Sequence, residues 1–567
     1  AMGITAKGAW EAVKRHFREM GTDIQAEPFS VIGVGDMSGD VFGNGMLLSR
    51  KIRLVAAFDH RDIFIDPEPD MESSWEERAR LFALPRSSWQ DYDKSKISQG
   101  GAIISRAAKS VTLTPEMQAI TGLDVEQATP ADIMTALLKA PCDLLWFGGI
   151  GTFIKARGQQ NSEVGDKAND AVRVDAEDVQ AKVIGEGANL GVTQAGRIAF
   201  ARKTRDDNGG RINTDAIDNS AGVDTSDHEV NIKILLTGAI RNGALKTEDR
   251  NALLDSMRDE VSALVLRDNY DQTRALSFAQ GAGVRDLDAH ERFIATLEKE
   301  GRLNRKVEGL PSPDEVAARR DRGEALTRPE LSVLLAYSKL TNARLLQNSD
   351  VPDDPHFWPA LKAYFPKACA PFEQAMREHR LRREIITMSL GNGLIDLGGP
   401  VLIQRAQEES GAGYEDVVRA LEAVRKIFRL DEFMDTVEVI DGPKTAAVQI
   451  SLQSEAVRVL SRAGGWLAGR LHAGLAQRPI GPLIETYQPG VDAFAAMVSI
   501  SSSNALQADI KRRADEFVLS GAPDELAVRA AGLRPLSNAL DVLELAKARG
   551  WGAPETARMV FAGGEAC

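Results

Sequence analysis

Two glycines and an aspartate carry the first chemical signal in this sequence. The apolar run Phe29-Ser-Val-Ile-Gly-Val34 leads straight into Gly35-Asp-Met-Ser-Gly-Asp40, and a second apolar run, Ile52 to Phe58, stops at Asp59. Glycines at 33 and 35 permit a sharp turn and a close backbone approach to a pyrophosphate, which a Cβ would block. The turn residues Asp36, Met37 and Ser38 lead into a helix whose first N–H groups would face the phosphates. Asp59 lies close to the roughly 20 positions beyond the turn at which an acid binds the adenosine ribose 2′-hydroxyl. Its charge would repel a 2′-phosphate, which favours NAD over NADP. His60 and Arg61 follow at once, however, and an arginine there can receive that phosphate. The fingerprint also wants a small residue about three places after its second glycine. Ser38 stands there with Gly39 beside it, so the turn is expected to carry an extra residue.

Three further segments hold candidate ligand contacts. Gly148 and Gly149 follow the apolar run Cys142 to Phe147; they form either a tight turn or a loop lying against a ligand at a strand's carboxyl end. Asn189, in Lys182-Val-Ile-Gly-Glu-Gly-Ala-Asn-Leu-Gly191, offers a donor and an acceptor suited to a ribose or a carboxamide, or is simply a turn residue. In Asn219-Ser-Ala-Gly-Val-Asp-Thr-Ser226, hydroxyls precede a helical pattern, and Thr225 or Ser226 could cap it. No Gly-x-Ser-x-Gly elbow, Walker loop or His-Glu-x-x-His helix occurs, which removes the common hydrolase, NTPase and zinc readings. His228 has no nucleophile at a recognisable spacing, and the other six histidines are dispersed. Lys94, Lys96 and Lys109 fall in a polar insertion and read as solvated.

The elements that would position these residues change character near residue 245. Residues 1–245 alternate helical and strand patterns. The runs Ser30 to Val34, Ile52 to Phe58, Cys142 to Phe147 and Lys182 to Gly185 are short and β-branched or aromatic, as strands buried on both faces of a parallel sheet are. Thr129 before Pro130 caps a helix to Lys139, and Asp175 opens a short one. The order predicts an α/β, doubly wound, Rossmann-type domain. Residues 246–567 read as mostly helical. A helix starts at Thr247, with Leu253, Leu254, Met257, Val261, Leu264 and Val265 on one face; capping boxes are expected at Ser312 to Glu315 and Thr327 to Glu330. Helices are predicted over Glu373 to Met388, Tyr414 to Phe428, Ser454 to Leu475 and Ala505 to Leu519. Val437 to Ile440 and Ala446 to Leu452 hint at strands, and Asp206 to Arg211 at a polar surface loop.

Bulk properties narrow the class. A chain of 567 residues is too long for one core. A net charge of −13 and a pI near 5.3 argue against a nucleic-acid partner. No apolar run approaches the roughly 18 residues of a membrane span, and no signal-like segment is seen, so a cytoplasmic protein is expected. Cys142, Cys369 and Cys567 are too scattered for a disulfide framework or a metal site.

Taken together, Thr5-Ala-Lys-Gly8, the string Gly33 to Gly45, Glu186-Gly-Ala-Asn189, Asn219 to Ser226 and Thr327-Arg-Pro-Glu-Leu-Ser-Val-Leu-Leu-Ala-Tyr-Ser338 resemble the carboxyl-terminal part of the large NAD-specific glutamate dehydrogenases of bacteria. The resemblance covers most of the chain. It implies that Thr5 lies against the nicotinamide carboxamide, that Gly33, Gly35 and Ser38 hold the pyrophosphate, and that Asp59 holds the adenosine ribose. It places Asn189 near the nicotinamide ribose and Ser226, with Asn219, at the side-chain carboxylate of L-glutamate. It also implies 2-oxoglutarate as product and a homo-oligomer. The family's Lys-Gly-Gly string and catalytic aspartate are not found, and no catalytic residue is assigned; that segment is expected before residue 1. A non-enzymatic NAD-binding regulatory or assembly module is the alternative. A leucine or phenylalanine dehydrogenase fits less well, because Ser226 is polar where a side-chain pocket would be apolar.

Overall fold

The computed structural model describes residues 2–203, 210–499 and 504–552, together with 555, 556 and 559. Two compact units emerge. The first comprises Ala1–Asn231, Asn251–Arg274 and Gly301–Val333; the second comprises Ile232–Arg250, Ala275–Glu300 and Leu334–Cys567.

The first unit is built on a six-stranded sheet. Its strands are β1 (Phe29–Val34), β2 (Ile52–Phe58), β3 (Asp62–Ile65), β4 (Ala102–Ser105), β5 (Leu144–Phe147) and β6 (Val183–Glu186), in the order β6-β5-β1-β2-β3-β4. The four predicted runs are the parallel strands, with Gly33 of β1 opposite Ala57 of β2 and Trp146 of β5. The other two were not foreseen: β3 and β4 add antiparallel, so the sheet is mixed.

Alternation along each strand feeds two cores. Val31, Leu54, Phe64, Leu144 and Trp146 pack with Trp10, Val13 and Phe17 of α1 (Ile4–Glu19) and Phe42 of α2 (Asp40–Gly45). Ile32, Val34, Phe58, Leu145 and Ile184 pack with Ile133 and Leu137 of α3 (Pro130–Lys139) and Phe200 of α4 (Gln194–Arg202). Thr129 and Asp132 form the capping box of α3, with Pro130 at its start. The expected loop at 206–211 lies largely outside the described residues.

Helix α5 (Ser220–Arg241) begins earlier than the hydroxyl pattern suggested. Thr225 and Ser226 therefore lie inside it and do not cap it; Thr225 Oγ1 donates to the Ala221 carbonyl at 2.7 Å. Thr247 opens a 3-10 turn leading to helices Arg250–Ser256 and Arg258–Ala282. Ser312 accepts from the Glu315 N–H, and Glu330 accepts from the Thr327 N–H.

In the second unit, helix Tyr414–Ile427 packs along Ala446–His472. Both expected strands there are helical. Leu430, Phe433, Met434 and Val437 are buried at three-and-four spacing while Val439 is 86% exposed; the period of burial overrides the β-branched composition. The helix expected over Glu373 to Met388 is broken into Glu373–Arg377 and Arg382–Gly398, with His379 Nδ1 accepting from the Leu381 N–H between them. Among the described residues no single helix is long and apolar enough to cross a membrane.

Candidate functional site

The carboxyl ends of the parallel strands are laced into one edge. The N–H of Gly35 donates to the Phe58 carbonyl at 2.7 Å, that of Gly148 to Val34 at 2.9 Å and that of Ala188 to Phe147 at 2.9 Å. β1 lies between β2 and β5, so the strand order reverses at its end. Open α/β sheets place their ligand crevice at such a point.

One residue, Phe42, explains the glycines of this edge. A Cβ on Gly33 would stand 2.5 Å from Cε2 of Phe42, one on Gly35 2.7 Å from Cδ2, and one on Gly148 2.5 Å from the Phe42 Cα. Gly35 also has φ +141°, a conformation that strains other residues. Phe42 is fully buried and meets Trp89 edge-on. Trp89 in turn donates from Nε1 to the Gly35 carbonyl at 3.1 Å. Gly149 lies over the same turn, its Cβ position 3.4 Å from the Gly35 Cα. The extra residue is taken up by Asp36: its Oδ1 accepts from the Ser38 N–H (2.8 Å), the Ser38 hydroxyl (2.5 Å) and the Gly39 N–H (3.0 Å). Met37 is buried in the turn. Helix α2 that follows has only six residues.

Asp59 ends β2 beside this turn. Its Oδ1 accepts from the N–H groups of Arg61 and Asp62, both at 2.7 Å. Its Oδ2 is buried, accepts no hydrogen bond among the described residues and lies 3.6 Å from Nε of Arg61. Burial pushes the Asp59 carboxyl above its usual range, and the charge of Asp36 adds to this against the two N–H donors. Burial also acts on Asp36, but there the Ser38 hydrogen bonds, the contact with the Asp59 carboxyl and, last, the charge of Arg61 win and hold the carboxyl below its usual range. Asp36, Asp59 and His60 bring possible metal-ligand atoms within 4.8 Å of one another. Arg61 is the cation already paired with both carboxylates.

At the other end of the edge, Asn189 and Asn219 meet: Nδ2 of Asn219 donates to Oδ1 of Asn189 at 2.6 Å. The next residue, Leu190, has φ +60° and is 61% exposed. Strain of this kind concentrates where a loop is shaped for a ligand. Beneath the loop lies a charge network that sequence reading missed. Buried Glu186 is gripped bidentately by Arg197 at 2.7 and 2.9 Å. Asp218 accepts from the Glu186 N–H and from Nδ2 of Asn213. Burial pushes the Asp218 carboxyl up to about 7.

Thr5, half-buried near the start of α1, faces the first turn of α5: a Cβ on Gly222 would stand 2.5 Å from its Oγ1. Ser226 is one turn further along, exposed, with Oγ 3.5 Å from the Gly222 carbonyl. Asn269 fastens these elements. Its Nδ2 donates to the carbonyls of Gly8, Ile217 and Asp218, and its Oδ1 accepts from the Ala221 N–H. Nothing in its local sequence announces this role. Lys94 and Lys109 are exposed and Lys96 pairs with Glu77, as their polar setting suggested.

Residues 1–279 match the family described as bacterial NAD-glutamate dehydrogenase, catalytic domain, and residues 323–566 match glutamate dehydrogenase, C-terminal. The chain belongs to the bacterial NAD-glutamate dehydrogenase family. Among its relatives is an NAD-specific glutamate dehydrogenase of Pseudomonas aeruginosa, 45% identical over 567 residues, which covers all of this chain and 34% of that protein. Others come from Mycobacterium tuberculosis (44% over 569 residues; 99% of this chain, 34% of that protein) and Halomonas elongata (43% over 547 residues; 96% and 33%). The chain thus spans about a third of the length of the curated relatives it matches. All the residues of the strand-end edge fall within the part that matches the glutamate dehydrogenase catalytic domain.

Proposed function

We propose that this chain supplies the dinucleotide-binding side of an active site for oxidative deamination of L-glutamate to 2-oxoglutarate and ammonium, with NAD as cofactor. The observation that carries this reading is the continuous edge at the strand ends, which gathers a glycine turn, a buried acid and a polar loop from separate parts of the sequence. The residues fit the cofactor. The Gly33 to Gly35 turn has no room for a Cβ, and Asp59 Oδ2 is a buried acceptor without a hydrogen bond among the described residues.

In this reading Gly33, Gly35, Asp36, Met37 and Ser38 shape the pyrophosphate turn of a doubly wound, Rossmann-type half. Asp59 receives the adenosine ribose, and Gly148 and Gly149 wall the crevice. Asn189 orients the nicotinamide ribose and Thr5 the carboxamide. Asn219 and Ser226 hold the side-chain carboxylate of glutamate. Bound NAD supplies the hydride acceptor. Activation of water and proton transfer need a lysine of lowered pKa and an acid; the sequence has no Lys-Gly-Gly string to provide the first. The chain alone is therefore expected to turn over slowly or not at all. A cytoplasmic homo-oligomer is the expected setting.

Calorimetric titration of the chain with NAD and NADP, with and without glutamate, tests the reading. Selective NAD binding strengthened by glutamate supports it. Absence of dinucleotide binding overturns it. Glutamate oxidation by this chain at the roughly 10 per second typical of enzymes would refute the division of labour between cofactor side and substrate side.

A further inference from the structure

Arg61 is the residue that would welcome a 2′-phosphate, yet it is already engaged. Its Nη2 lies 3.3 Å from Asp36 Oδ2 and donates to the Ser87 carbonyl at 3.3 Å, while its Nε stands 3.6 Å from Asp59 Oδ2. A second guanidinium is close: Arg106 donates from Nη1 to the Asp59 carbonyl at 2.8 Å and makes no ion pair among the described residues. The corner thus holds Arg61 against two carboxylates and Arg106 against a main-chain carbonyl, with His60 exposed at the rim.

A phosphate monoester brings one to two negative charges and three acceptor oxygens that suit the arginine fork. Asp59 alone would be one carboxylate set against two guanidiniums, Arg61 and Arg106. Asp36 is what ties up Arg61, and the turn leaves it little choice of position. Its Oδ1 is held by three donors from Ser38 and Gly39, which points Oδ2 at the guanidinium.

We propose that Asp36 is a specificity-determining residue for the dinucleotide: by clamping Arg61 across the adenosine corner, it denies a 2′-phosphate its cation and sets the preference for NAD. This rests on the dinucleotide reading above and assigns Asp36 a task beyond shaping the turn.

The test is calorimetry of the 567-residue chain with NAD and NADP. Asp36→Asn keeps the Oδ1 acceptor of the turn and removes the charge that holds Arg61. Both dinucleotides gain from the lost charge near the pyrophosphate, so the readout is the ratio of the two Kd values, NADP over NAD. That ratio is expected to fall at least tenfold in Asp36→Asn and to return towards the original value in Asp36→Asn with Arg61→Ala. Asp36→Ser, whose hydroxyl can still accept from the turn, stands in if the asparagine variant does not bind NAD. An unchanged ratio overturns the clamp, and so does a fall that survives loss of Arg61. Loss of NAD binding in both Asp36 variants also overturns it, because Asp36 would then serve the turn alone. If the unsubstituted chain binds no NAD, the dinucleotide reading itself fails and takes this inference with it.

Discussion

Gly33→Ala separates two reasons for a glycine at the turn: room for a ligand and room for a ring. Gly33 does not adopt a positive φ, so alanine is allowed by the backbone. The added methyl would meet Cε2 of Phe42 at 2.5 Å and Cζ at 3.0 Å. β1 is hydrogen-bonded on both sides, to β2 and β5, and cannot retreat. Overpacking of this kind costs about 1–3 kcal/mol, offset by about 0.4–1 kcal/mol from the stiffer unfolded chain. Shrinking the ring with Phe42→Leu is destabilising by itself, by less than the roughly 3–5 kcal/mol of a full truncation to alanine. In the double variant the leucine makes space for the methyl, so the two costs should fail to add by at least about 1 kcal/mol, within the range seen for residues in contact. Hydrogen exchange of peptides spanning residues 29–47 gives the local opening free energies without assuming that the whole chain unfolds in one step. Gly35→Ala serves as the control: its φ of +141° makes the substitution strained whatever the ring, and Phe42→Leu should not relieve it. Additivity of Gly33→Ala and Phe42→Leu to within about 0.5 kcal/mol would falsify the ring argument. If stability recovers in the double variant while NAD affinity does not, the glycine serves the ligand as well.

Other consequences are open to direct measurement. Arg319→Met leaves Glu330 buried without the guanidinium that binds it at 2.9 Å through both oxygens; a loss of about 3–5 kcal/mol is expected, largely recovered when Glu330→Leu is added, as read from exchange in helix Arg328–Gln347. Burial lowers the His290 imidazole to about 4, with Arg405 adding to the effect and Asp286 opposing it. The unfolded chain therefore takes up the proton first. Stability is full above about pH 6.5 and falls as pH drops towards 4, by no more than about 3.4 kcal/mol at 1.36 kcal/mol per unit; His290→Gln should flatten that part of the urea-midpoint profile. Ser226→Ala removes an exposed hydroxyl whose nearest acceptor is 3.5 Å away, so stability should move by less than about 0.5 kcal/mol. In protein competent for turnover, the same change should raise the glutamate KM about tenfold, as for a lost hydrogen bond to a charged group, with NAD affinity intact. An unchanged KM removes Ser226 from the substrate site.

The legible parts of this fold are those whose causes are local. β1 and β2 are short apolar runs buried on both faces, and their ends are marked by Gly35 and Asp59; Thr129 and Pro130 announce α3 in the same way. The strands β3 and β4 are no shorter than β5 and β6, but β4 lies inside the polar insertion that carries Lys94 and Lys109, and β3 follows β2 too closely to stand out as a separate run. Around Val437 a β-branched composition pointed one way and the three-and-four spacing of Phe433, Met434 and Val437 the other; burial followed the spacing. At the candidate site, Gly33, Asp59 and Asn189 carry recognisable local patterns, and the structure sets them along one edge. Phe42 and Trp89 beneath the turn, and Asn269 beneath the start of α5, could not be found this way. Asn269 bonds to Gly8 across 261 positions of sequence, and no periodicity reaches that far.

The insertion that carries Trp89 bears on modularity. Residues 29–59 contain all of the dinucleotide-like string, but the indole that holds the Gly35 carbonyl arrives later in the chain, stacked at 4.7 Å on Phe64 of the antiparallel edge. A transplant of those residues into another scaffold would copy the spelling and lose the shape. The transferable unit runs on to about Tyr92, and the antiparallel strand β3 is part of its foundation.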